Sequence, residues 1–123
     1  MWIEYNANPS GNNTNDCVIR ALSKALDMPW EQTKILVNVY SLAYHQSDDS
    51  DLSWSKILAE RGFTMRAVFC RDLCNLKGFC RNNPKGTYVV KLPNHVCCVK
   101  NGDYFDTWDS GEQALLYVWE KGE

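Results

Sequence analysis

The chain has 123 residues, 45% of them hydrophobic and 23% charged, and a formal net charge of -2. A chain of this length makes one domain, 1–123, able to bury roughly two-thirds of the surface its unfolded form exposes, and its ordinary composition excludes collagen-like, low-complexity and wholly disordered classes. Lys plus Arg at 13 against Asp plus Glu at 15 argues against a dedicated nucleic-acid binder, and no stretch approaches the about 18 apolar residues of a membrane span.

Residues 6–16 are rich in Asn and Asp and hold a Pro and a Gly, the composition of a loop that ends in a helix cap. A helix begins at once. Cys17, Val18, Ala21, Leu22, Ala25 and Leu26 recur at helical spacing, with Asp16 or Asn15 as N-cap. Asp27-Met28-Pro29 interrupts the pattern, and Pro29 suits the first position of a second helix reaching Tyr44. Asp51 caps a third helix through Ile57 and Leu58, stopped by Gly62. The texture then turns to strand formers. A short strand spans 63–69, a loop or short helix 70–85, and strands follow at 87–92, 95–99, 103–108 and 115–119. Asn101-Gly102 between apolar runs is a strong hairpin signal. Helices that precede strands predict an α+β fold, with N-terminal helices packed on a C-terminal antiparallel sheet.

Six cysteines are the unusual count. The N-terminus lacks a basic region followed by an apolar one, so reduced thiols in a cytoplasmic protein are expected. Cys17 stands apart, because the first turn of a helix offers a positive dipole end and unpaired N–H groups that favour the thiolate. His95 opens a strand that leads into the hairpin. A two-residue turn at Asn101-Gly102 pairs Lys100 with Asp103, Val99 with Tyr104 and Cys98 with Phe105. His95, Cys97 and Asp106 then share one face, with Asp106 diagonal to His95. A carboxylate there would accept the Nδ1–H of His95 and turn the other ring nitrogen to a thiol. A bulged turn would hand that role to Asp109. Asn12, in the loop before Cys17, is the candidate amide donor to an oxyanion, alongside the Cys17 backbone N–H; Asn13, Thr14 and Asn15 compete with it.

Other groups support less. Cys70, Cys74 and Cys80 lack the close ligand pairs of a zinc site, so neither a metal nor another cofactor is expected. The basic stretch 66–85 and the acidic run at 48–51 read as solvated surface. Trp108, two residues beyond Asp106, is placed to shield a His–Asp bond from water.

The run 12–22 around Cys17, the strand His95-Val96-Cys97-Cys98-Val99 and the strand 103–109 together resemble the papain-like cysteine peptidase superfamily, above all its small microbial and phage-type members. The resemblance covers nearly the whole chain. It implies a thiol hydrolase of peptide, isopeptide or related amide bonds, in which Cys17 attacks, His95 moves the proton and Asp106 orients the histidine. The family's usual loop amide is Gln, whereas this loop offers Asn. The same resemblance accommodates an inactive binding or inhibitor module, or a thiol acyltransferase. The expected partner of the enzyme is a peptide or protein, with no membrane and no nucleic acid.

Overall fold

The computed structural model describes residues 1–9, 16–47, 50–66 and 75–122. Chain order is β1 (Trp2–Glu4), α1 (Cys17–Leu26), α2 (Trp30–Ala43), α3 (Asp51–Glu60), β2 (Phe63–Arg66), α4 (Leu76–Asn82), β3 (Thr87–Leu92), β4 (His95–Lys100), β5 (Asp103–Asp106) and β6 (Tyr117–Lys121). The fold is α+β. One six-stranded sheet runs in the order β1-β5-β4-β3-β6-β2. α1 to α3 pack toward one face of this sheet, and α4 lies toward the other.

The alternation of β3 and β4 divides the core. Val89, Val96 and Cys98 join Val18, Leu22, Ala25, Val37, Trp54 and Ile57 in one buried cluster. Val90, Leu92, Cys97 and Val99 join Leu76, Phe79 and Tyr104 in the other. Burying side chains of this size contributes about 1.5–3 kcal/mol each. α1 presents the stripe expected of it, and its end is set by Asp27 in the left-handed conformation, with the Met28 N–H closing on Ser23 O at 3.0 Å.

The hairpin register is the expected one: Cys98 opposes Phe105, Val99 opposes Tyr104 and Lys100 opposes Asp103. Asn101 and Gly102 both carry positive φ, 51° and 81°, as a two-residue turn of this hand requires.

Several expectations need correction. The sheet is not purely antiparallel, because the N-terminal strand β1 pairs in parallel with β5. Three residues are too few to display a period, so β1 left no trace in the patterning. The strand expected over 103–108 stops at Asp106, whose own carboxylate accepts the Thr107 N–H at 2.8 Å and turns the chain out of the ladder. Pro29 sits at the N-cap of α2 rather than its first position. Ser50, not Asp51, caps α3, accepting the Leu52 N–H at 3.3 Å. The Asp51 carboxylate is taken instead by Lys91, Tyr117 and Trp54, a clasp between α3 and the sheet. No helix among the described residues is long and apolar enough to cross a membrane.

Candidate active site

α1 packs on β4 and places Cys17, its first residue, beside His95, the first residue of β4. Asp16, directly before Cys17, is anchored. Asp16 occupies the N-cap position but makes no side-chain cap bond. Its buried carboxylate instead receives Arg20, as a close ion pair, and the Trp30 indole N–H at 2.9 Å. The Asn8 amide reaches it at 3.4 Å. Arg20 is itself buried, so the nucleophile candidate stands on a satisfied internal ion pair.

The Cys17 thiol and the His95 imidazole face each other closely enough that each favours the other's charged form. His95 Nε2 lies 2.6 Å from Asp106 Oδ2. With Nε2 committed to the carboxylate, Nδ1 is the nitrogen left to the thiol. This reverses the expected assignment of the two ring nitrogens: the imidazole sits the other way round between its partners, although the partners are those expected. Asp109 is not the orienter, because its carboxylate accepts the Tyr104 hydroxyl and the Gly111 N–H.

Asp106 is 3% exposed and fully engaged. Oδ2 also accepts the Ser110 hydroxyl at 2.6 Å, and Oδ1 the Thr107 N–H. Its backbone oxygen accepts the Tyr5 N–H at 2.9 Å and the Trp2 indole N–H at 3.1 Å. The centre of the Trp108 ring lies 5.2 Å from that of the His95 ring, tilted 42°. Ser110 escaped the reading of the sequence; its one signal was its place in a turn directly after the acidic candidates.

The electrostatics follow from this packing. Burial is the strongest influence on Cys17 and resists its ionisation. The His95 hydrogen bond, a backbone hydrogen bond at Val96 and the charges of His95 and Arg20 outweigh it, and the thiol is held below its ordinary value. Burial likewise resists the charge on His95. The bonds and charges of Asp106 and Cys17 overcome it and raise the imidazole from 6.5 to about 9. The two shifts favour one state, a thiolate beside an imidazolium, and they belong to the pair. The other described thiols behave oppositely: burial pushes Cys80 up to about 11 and Cys98 up to about 12, and holds Cys97 well above its ordinary value. All four described cysteines are free.

Asn12 and its neighbours through Asn15 lie outside the described residues, as do Cys70, Cys74, Asp48 and Asp49. Among the described residues no His, Cys, Asp or Glu group is arranged to hold a metal ion. In the basic stretch, Arg66 pairs with Glu120 and Lys77 with Glu112, each at 3.6 Å. A cleft of about 420 Å³ on the α4 side is lined by Trp2, Lys77, Arg81, Tyr104 and Asp109, and by none of Cys17, His95 or Asp106. Comparison with family models, with curated proteins and with solved structures finds no match.

Proposed function

We propose that the chain is a papain-like thiol hydrolase that cleaves a peptide, isopeptide or related amide bond, acting in the cytoplasm on a peptide or protein substrate. The observation that carries this reading is the succession Cys17, His95, Asp106, in which His95 Nε2 bonds the carboxylate at 2.6 Å and Cys17, at a helix start, is the one thiol among the described residues whose ionisation is favoured.

In this reading the Cys17 thiolate attacks the carbonyl carbon and the carbonyl electrons move to oxygen. The first-turn N–H of Cys17 and, by the family resemblance, Asn12 meet that oxyanion. Collapse breaks the C–N bond, and the His95 proton goes to the departing nitrogen. His95 then takes a proton from water as the water oxygen attacks the thioester. The carboxylic acid leaves, and the thiolate–imidazolium pair is restored. Asp106 keeps Nε2 bonded throughout, and Trp108 limits water at that bond. An acyltransferase differs only in the acceptor of the second step.

The test is alkylation by iodoacetamide near pH 7, read as site-resolved mass spectrometry. Cys17 is expected to react first among the six thiols, and His95→Ala to abolish that preference. Equal rates at Cys17 and the buried thiols would refute the reading. A second reading, an inactive binding module, draws on the exposed Ile35, Val39 and Leu42, which recur at helical spacing on α2. A Cys17→Ala variant that keeps the full biological effect would select it.

A further inference from the structure

We infer that Ser110 is a positioning residue of this site, holding the Asp106 carboxylate and sharing its charge so that His95 can release its proton. The inference rests on the hydrolase reading and deepens it.

Ser110 is fully buried, and its hydroxyl donates at 2.6 Å to Asp106 Oδ2, the same oxygen that bonds His95 Nε2 at 2.6 Å. Two donors therefore divide one charged acceptor, while the Thr107 N–H fixes the other oxygen.

The hydroxyl is not placed there by a loose loop. The Ser110 carbonyl accepts the Gln113 N–H at 3.0 Å, and the next carbonyl, of Gly111, accepts Lys77 N–H at 2.9 Å from α4. On the other side Asp109 receives both the Tyr104 hydroxyl and the Gly111 N–H. Gly111 is required at this spot: a Cβ there would lie 3.0 Å from Tyr104 Cζ and 3.1 Å from Asp109 Oδ1. The turn is thus pinned to β5 and α4, with Ser110 aimed at Asp106.

The chemical consequence concerns proton return. A lone carboxylate beside His95 would stabilise the imidazolium strongly, and a strongly stabilised imidazolium is a poor acid toward a departing amine. A hydroxyl donating to the same oxygen withdraws part of that negative charge. The other titratable groups facing the His95–Asp106 pair are Cys17 from α1 and Cys97 from β4, with Arg20 acting on Cys17 from the next turn of α1. Cys97 stays protonated, its buried thiol lying against the Phe105 and Cys98 carbonyls and toward Asp106, so it adds no competing charge.

The experiment follows His95 by NMR titration, made tractable by the presence of only two histidines, in the wild-type protein, Ser110→Ala and Ser110→Cys. Ser110→Ala is expected to raise the midpoint of His95 by a few tenths of a pH unit or more. It is also expected to slow acylation of Cys17 by an amide-type acyl donor by on the order of tenfold, with thiolate alkylation nearly unchanged. Ser110→Cys, a near-isosteric weak donor, should fall between. A midpoint that stays or falls in a folded Ser110→Ala protein overturns the inference and leaves the triad standing. A wild-type His95 that titrates near 6.5 with an unreactive Cys17 overturns both.

Discussion

Replacing Asp106 with Asn keeps the size and the hydrogen-bonding shape of the side chain and removes its charge. In the wild-type protein the His95 imidazolium persists up to about pH 9. At pH 8 roughly nine-tenths of the molecules then carry it, whereas an imidazole returned to 6.5 would carry it in roughly 3%. The thiolate at Cys17 leans on that charge, so the ion pair is expected to fall by at most about thirtyfold at this pH, and by less in proportion to the part of the shift that Cys17 supplies. The sign for stability follows from the same raised value. A folded-state His95 above its unfolded 6.5 contributes stability that is fully present below 6.5 and is lost as pH rises through about 9. The full shift corresponds to at most about 3 kcal/mol, shared between Asp106 and Cys17 as its causes. Two assays read this: Cys17 alkylation by iodoacetate from pH 5 to 10, and urea unfolding at pH 6 and pH 10. In Asp106→Asn the basic limb of alkylation should move down from about 9. The stability gap to wild type should be wider at pH 6 than at pH 10. Superimposable alkylation profiles from two folded proteins would refute the argument that Asp106 holds the charge on His95.

Other expected outcomes test neighbouring parts. Asp16→Ala leaves the buried Arg20 charge without its carboxylate and the Trp30 N–H without an acceptor, and should cost about 3–5 kcal/mol in urea unfolding; a loss under 1 kcal/mol would show the pair to be solvated. Trp108→Ala exposes the His95–Asp106 bond to water and should lower the His95 midpoint in an NMR titration, which an unchanged midpoint would contradict. Gly102→Ala puts a side chain where φ is 81° at the hairpin turn and should lower stability by about 1 kcal/mol with the site chemistry intact; a loss of Cys17 reactivity at full stability would contradict a purely structural turn.

What was legible in the sequence depended on local rules. Asn101-Gly102 dictates a two-residue turn, the turn dictates the register, and the register places Asp106 near His95. Cys17 at the start of α1 followed from an apolar stripe bounded by a polar loop. What was not legible depended on distant partners. β1 is strand only because β5 accepts it, and Asp16 forgoes its cap bond only because Arg20 and Trp30 converge on it. The choice of Nε2 over Nδ1 is a matter of ring orientation, which no residue pattern encodes. Ser110 became visible only once the turn after β5 was seen folding back over Asp106.

The wide separation of Cys17 from His95 and Asp106 has a consequence during synthesis. At 5–20 residues per second, roughly 4–16 s separate the appearance of Cys17 from that of His95. Until then Cys17 has neither a formed helix terminus packed on β4 nor an imidazolium beside it, and it titrates as an ordinary cysteine, mostly protonated at neutral pH. The nascent chain would therefore carry the proposed nucleophile unarmed. Because Trp2 and Tyr5 close on the backbone of Asp106, the earliest strand to emerge waits for one of the latest before either is complete.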